Sequence, residues 1–252
     1  MRIKWLLLPF LILPPLSPFA QERMSLTVAA AADLYLAFRE IGEAFEKEEG
    51  VKVVFSFQST GILAHQVEYG APFDILFAAD IKSLNRLKER GRIIPQSLQL
   101  YARGRLVLAT SKRYPFKALE LKDLLKDEFQ RVAIADPTHA PYGIAAREAL
   151  KSVGLWDRLR PKLVYGENIR QALQFVESGD AQAGIISLSL ANSPKISWVL
   201  IDDRLHRPIE QAVAVVAGTR LEREAKRFIS FVTGPVGRLI MKRYGFLIPG
   251  EF

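Results

Sequence analysis

Ser59 and Thr60 follow the strand-like run VKVVFSF and precede Gly61 and a helical pattern, with no Lys, Arg or Cys beside them. Hydroxyls at such a turn start the helix, attack a substrate, or hold an anion. Three more turns share the design, in which a strand ends, small or hydroxyl residues follow, and a helix begins. They are AAAADL (Ala29 to Leu34), THAPYG (Thr138 to Gly143) and GENI (Gly166 to Ile169). A helix start leaves about four N–H groups unpaired and carries roughly half a positive charge. Several such starts aimed at one point bind an anion with no cationic side chain. Ala30 to Ala32 would let a ligand approach the backbone closely, and Ser59 and Thr60 add neutral donors. Singly, each turn is an ordinary helix start; only convergence makes a site.

Nucleophilic chemistry has less support. Ser59, Ser187 and Ser189 are the candidate serines, but no G-x-S-x-G elbow surrounds them. His65, His139 and His206 lack the H-x-x-x-H or H-E-x-x-H spacing of a zinc site, and no G-x-x-x-x-G-K-[ST] phosphate loop is present. His65 reads as a surface residue of a helix. His139 lies in the THAPYG turn, where it either donates to a ligand or shapes the loop. A serine hydrolase is therefore a remote alternative, and the chain reads as a non-enzyme that needs no cofactor.

The elements that must position these turns alternate regularly, which predicts an α/β fold. A strand over Leu26 to Ala32 leads to Asp33 at an N-cap position and to a helix with Leu34, Ala37, Phe38, Ile41, Ala44 and Phe45 on one face. A strand over Val51 to Phe57, a helix over Ile62 to Tyr69, a strand over Ile75 to Ala78 and a helix over Ile81 to Arg90 follow. A second series starts with a strand over Arg105 to Thr110 and a helix over Leu119 to Phe129. It continues with strand Arg131 to Asp136, helix Gly143 to Val153, strand Lys162 to Tyr165, helix Ile169 to Ser178 and strand Ala183 to Ser187. Strands near Trp198 to Ile201 and Gln211 to Gly218, then helices Leu221 to Val232 and Pro235 to Tyr244, close the chain. No repeat or low-complexity linker divides it, so two lobes crossed more than once by the chain are expected, with a ligand cleft between them.

At 252 residues and 49% hydrophobic content the chain can bury a sizeable core. Arg2 and Lys4, the apolar run Trp5 to Leu13, and SPFAQ (Ser17 to Gln21) have the pattern of a secretory signal over residues 1–20. The apolar run is shorter than the ~20 residues of a spanning helix, and Pro9, Pro14, Pro15 and Pro18 interrupt it. No cysteine is present, so neither a disulfide nor a lipid-anchored Cys is expected, and a freely diffusing periplasmic protein follows. The net charge is +8, two charges of which sit on Arg2 and Lys4. The other basic residues are scattered over helix faces without interleaved aromatics, which reads as a solvated surface that steers anions rather than one that binds nucleic acid.

The segments VAAAADL, SFQSTGILAHQVEYGAP, FDILFAAD, ADPTHAPYGIAAREAL, ENIRQALQFVESGDAQAGI and KRYGF together resemble the periplasmic molybdate-binding proteins of ABC importers. GAPFDILFAAD is the most specific piece, and the likeness runs in order through the chain after the signal. The resemblance implies a two-lobed, type II periplasmic binding protein, each lobe a mixed, mostly parallel sheet flanked by helices. The lobes are expected at 21–103 with 217–252, and at 104–216. It implies a monomer that closes on molybdate or tungstate through neutral hydrogen bonds and is recognised by a membrane permease and its ATPase. Carried over by position, the ligand residues are Asp33, Ser59, Thr60 and the Ala79 N–H in the first lobe. In the second they are the Tyr142 and Ile169 backbones and Ser187, where some members have a tyrosine.

Two positions depart from the pattern. Ser187 is shorter than tyrosine. Asp33 stands where a serine is expected, and a carboxylate ~4 Å from a dianion is repelled by roughly 8 kcal/mol at an effective dielectric of about 20. Three escapes remain open: Asp33 caps its own helix, it is protonated and donates, or the ligand is not a simple dianion. The principal rival is thus a binding protein for another solute, such as sulfate, phosphate, a metal chelate or a small organic anion. An organic carboxylate usually calls for Arg, and Arg170, next to Ile169, points either to ligand or to interlobe pairing. Tyr142 similarly can cover a ligand, pack in a core, or join the lobes. A regulator's effector domain shares the lobed fold, but the signal pattern and the lack of a DNA-binding segment argue against it.

Overall fold

The computed structural model describes residues 25–252; the signal expected over residues 1–20 lies outside the described residues. β1 (Ser25–Ala31) passes through a tight turn at Ala32–Leu34 into α1 (Tyr35–Glu49), which ends at Gly50 in the left-handed conformation. β2 (Lys52–Gln58), α2 (Thr60–Glu68), β3 (Ile75–Ala78) and α3 (Ile81–Glu89) follow. β4 (Gln99–Gly104) then runs almost directly into β5 (Leu106–Ser111). Next come β6 (Val132–Ala135), α4 (Pro141–Ser152), α5 (Trp156–Leu159), β7 (Leu163–Gly166), α6 (Ile169–Ser178), β8 (Ala183–Ser187) and β9 (Ile196–Leu200). β10 (Ile209–Val215), α7 (Glu222–Thr233) and α8 (Pro235–Arg243) complete the chain.

The strands form two mixed five-stranded sheets, ordered β2-β1-β3-β10-β4 and β7-β6-β8-β5-β9. β1 is parallel to β2 and β3, and β6 is parallel to β7 and β8. Each antiparallel pairing involves β10 or β5, the first strand after each passage of the chain from one sheet to the other. Consequently the carboxyl ends of β1, β2 and β3 and those of β6 and β7, each followed by a helix start, can face one another across the gap between the sheets. The first lobe is built on an aromatic cluster: the Phe38 ring lies 4.7 Å from Phe77, and Phe45 lies 5.0 Å from Phe228, both edge-on.

Three sequence expectations change. The second passage between lobes ends before β10, so residues 209–216 belong to the first lobe and not to the second, where the 104–216 boundary placed them. β10 is an apolar run of the kind either lobe would bury, and only its pairing with β3 and β4 decides. The helix over Leu119 to Phe129 shrinks to a single turn at Leu121–Leu125, where Asp123 accepts from the Leu119 and Glu120 N–H groups and Lys126 is already extended. β4 was not expected; its polar QLYARG pattern gains strand character from β10 and a bridge to Leu247.

Candidate functional site

The four turns converge. Ala31, Ala32, Asp33, Gln58, Ser59, Thr60 and Ala79 from the first lobe meet Ala140, Pro141, Tyr142 and Ile169 from the second around one narrow space of about 10 Å³. That is room for about one water-sized sphere, so the lobes are shut against each other. A larger surface depression near Arg223 and Arg227 lies away from the strand ends, and its charges pair locally, Arg227 with Glu49 and Lys226 with Glu222. Size alone therefore does not locate the site.

Each helix start contributes differently. On α4, Pro141 has no N–H and no side chain caps the turn, which makes the Tyr142 N–H the first amide of the helix. On α6, Asn168 accepts from the Arg170 and Gln171 N–H groups at 3.0 and 3.2 Å, leaving the Ile169 N–H outside the cap. Gly143 is required where α4 packs over β6, because a Cβ there would overlap the Ala135 carbonyl. On α2, Thr60 Oγ1 accepts the Ala79 N–H at 2.9 Å. The Ala79 amide expected as a ligand donor is thus engaged by Thr60 in this closed state, and the Thr60 hydroxyl proton is what remains to offer.

Hydrogen bonds cross the gap at several points. Ser59 Oγ lies 2.8 Å from His139 Nδ1, the Gly61 N–H donates to the His139 carbonyl at 3.0 Å, and Asn168 Nδ2 donates to Gln58 Oε1 at 3.0 Å. The Arg170 guanidinium stacks 3.4 Å from the centre of the Tyr35 ring, a lobe-to-lobe cation–π contact outside the cavity. Of the open readings, Arg170 joins the lobes and His139 reaches a site hydroxyl. His65 is exposed, as expected.

Asp33 is not a helix cap. The chain makes a tight turn at Ala32–Leu34 before α1, and no side-chain cap bond forms at either start. Its carboxylate is buried, with Oδ2 accepting from Tyr142 Oη at 3.0 Å and from Gln211 Nε2 at 2.5 Å. Gln211 Nε2 also donates to Tyr142 Oη at 3.1 Å, while Gln211 Oε1 accepts from Tyr101 Oη at 2.6 Å. Among the described residues Asp33 Oδ1 is buried without a hydrogen-bond partner. Burial raises the Asp33 pKa to about 6 against the opposing pull of the Gln211 and Tyr142 bonds, and burial beside this carboxylate pushes the Tyr101 and Tyr142 hydroxyls well up.

Ser187 is the one candidate that does not border the cavity. Its hydroxyl pairs with that of Ser189, and Ser189 Oγ in turn donates to the Asp33 carbonyl at 2.8 Å. Sequence reasoning missed Gln211 and Tyr101. Gln211 has one sequence signal, a polar side chain within the otherwise apolar run of β10, whereas Tyr101 lies in the polar QLYARG segment and has none. Tyr142 was expected through its backbone; its hydroxyl also acts, as a bond between the lobes.

Two lobes, linked by two passages of the chain and shut over converging helix starts, define a cleft-binding protein for a small solute. The chain belongs to the bacterial extracellular solute-binding proteins, whose family model matches residues 26–247. The molybdate-binding protein ModA of Escherichia coli (strain K12) is 38% identical, with the match covering 88% of this chain and 89% of that protein. ModA of Rhodobacter capsulatus is 33% identical over 87% of this chain and 86% of its own. The solved periplasmic molybdate-binding protein of Azotobacter vinelandii matches with a TM-score of 0.84 at 30% identity, covering 89% of this chain and 99% of that one.

Proposed function

We propose that this protein captures a tetrahedral oxyanion, molybdate or tungstate, between its lobes and presents it to the permease and ATPase of an ABC importer. The observation that carries the reading is the convergence of Ser59, Thr60, Tyr142 and Ile169 on one cavity whose lining contains no Lys or Arg. Hydroxyls and first-turn amides donate without carrying a charge, which suits an anion that must be released again. The relatives named for molybdate support the choice of anion. The protein works in the periplasm as a monomer and without a cofactor. The first lobe receives the anion on Ser59 and Thr60, and the second brings the Tyr142 and Ile169 amides over it. Closing expels water and strengthens each bond. Because the shut cavity holds about one water-sized sphere, a four-oxygen anion enters only when the lobes part.

No turnover is expected. Ser59 and His139 resemble part of a catalytic array, but they sit on opposite lobes. His139 Nε2 is 3.8 Å from Asp136 Oδ2, beyond hydrogen-bond range, and Asp136 Oδ1 already accepts from Thr138. An ester panel should return no product.

A thermal-shift series with molybdate, tungstate, sulfate and phosphate tests the reading, since a ligand at 100 times its Kd stabilises the native state by about 2.7 kcal/mol. Molybdate and tungstate should raise Tm. A rise with sulfate or phosphate alone would reassign the ligand. Ser59→Ala combined with Thr60→Val should then weaken molybdate binding by several kcal/mol, at ~1–3 per charged hydrogen bond lost; unchanged calorimetric affinity would remove these hydroxyls from the site.

A further inference from the structure

Asp33 is an unusual wall for an anion site. Asp33 is one of the residues that border the cavity, with Ser59 and Thr60, yet among the described residues no Lys, Arg or His pairs with its carboxylate. The groups facing it are the Tyr142 hydroxyl from α4, the Gln211 amide from β10, the Tyr101 hydroxyl behind Gln211 on β4, and Ser189 on its own carbonyl. All of these are neutral. Their directions are also fixed: Gln211 gives one amide proton to Asp33 and the other to Tyr142, and its oxygen is held by Tyr101. Every side-chain bond they make to the carboxylate ends on Oδ2, and the Asp33 backbone N–H also acts on it; among the described residues Oδ1 is buried with no hydrogen-bond partner. A lone buried carboxylate oxygen is costly as an acceptor. It is well placed to carry a proton.

We propose that Asp33 is a proton-carrying ligand group, whose carboxyl takes one proton from solvent as the anion enters and donates it from Oδ1 to an anion oxygen. This rests on the oxyanion reading above and adds a proton to it. The exchange balances simply: one dianion and one proton enter, and the cavity changes by one net negative charge instead of two. The repulsion that an ionised Asp33 would exert becomes a hydrogen bond. Asp33 then selects for dianions that arrive together with a proton, and capture weakens in alkaline medium. Burial, which already raises the Asp33 pKa to about 6, works in the same direction, and a dianion beside it raises it further. Between the free and bound values, affinity falls about tenfold per pH unit.

The test is calorimetry of sodium molybdate binding to the whole chain in two buffers of unlike ionisation enthalpy at pH 7.5, with Kd followed from pH 7 to 9. The expected result is uptake of about one proton per anion and a Kd that rises up to about 100-fold across that range. Asp33→Asn should bind with no proton uptake and an affinity flat in pH, while His139→Gln should keep the uptake. Infrared difference spectra of the unmodified chain should show a protonated-carboxyl C=O band appearing with molybdate, a readout that holds even if a variant fails to fold. Binding without proton uptake, uptake without that band, or uptake lost in His139→Gln overturns the inference and leaves the oxyanion reading standing. Absence of binding to both molybdate and tungstate overturns the oxyanion reading itself.

Discussion

Gly61 separates lobe closure from lobe stability in a single substitution. It lies in the first turn of α2, where alanine favours the helix by roughly 0.5–1 kcal/mol over glycine. In the closed state, however, a Cβ at position 61 would stand 2.5 Å from the His139 carbonyl oxygen and 2.8 Å from His139 Cβ. Both atoms belong to the opposite lobe, and the nearer is backbone, so the lobes must give way. The Gly61–His139 bond at 3.0 Å and the Ser59–His139 bond at 2.8 Å are then lost or stretched, and the second-lobe amides draw back from the anion. Two to three hydrogen bonds at about 1 kcal/mol each amount to roughly 2–3 kcal/mol, or about 30- to 150-fold in Kd. Gly61→Ala should thus leave the Tm of the unliganded chain equal or slightly raised while molybdate affinity, by calorimetry, drops by that factor. An affinity within threefold of the parent protein would refute the claim that this contact is part of the liganded state.

Other perturbations probe different links. Arg170→Ala removes the guanidinium from the Tyr35 ring and should cost ~0.5–2 kcal/mol of closure, read as a 2- to 30-fold weaker Kd with no change in fold by circular dichroism; equal affinity would make the stack incidental. Gly104→Ala would drive a Cβ into the Tyr142 hydroxyl, and loss of the Tyr142–Asp33 bond should weaken anion binding by ~1–3 kcal/mol in the same titration. The Asp33 pKa lies above its ordinary 3.8, at about 6. The folded state therefore holds this proton more tightly than the unfolded one. Its contribution to stability falls as pH rises from 3.8 to 6, and roughly 3 kcal/mol of destabilisation is in place above that window. Asp33→Asn should accordingly raise Tm at pH 8 and leave it nearly unchanged at pH 3.5, and a loss of stability confined to pH 8 would contradict this.

Much of the architecture was legible because its signals are local. Ile75–Ala78, Ile169–Ser178 and Ala183–Ser187 fall where the apolar runs and helical spacing place them. The candidate turns were legible for the same reason, because a strand end, small or hydroxyl residues and a helical spacing are neighbours in sequence; α6 starts at Ile169 where the spacing places it, whereas α4 starts at Pro141, two residues before the expected Gly143. Local signals failed where two structures compete on similar terms. The Leu119 to Phe129 segment has helical spacing, yet Asp123 draws the preceding amides into a single turn. At Asp33 the residue type suggested a cap, while the chain there turns too tightly to present the carboxylate to its own helix.

The amino-acid order by itself determined which strands end in small or hydroxyl residues ahead of a helix, since each such turn depends on a few neighbouring positions. Tertiary structure decided that those ends meet, that β10 returns to the first lobe, and that Gln211 and Tyr101, 178 and 68 positions from Asp33, fix one oxygen of its carboxylate and leave the other bare. Strand neighbours are chosen by the burial of whole faces, not by adjacent residues. A buried carboxyl's charge therefore depends on partners that no local pattern names.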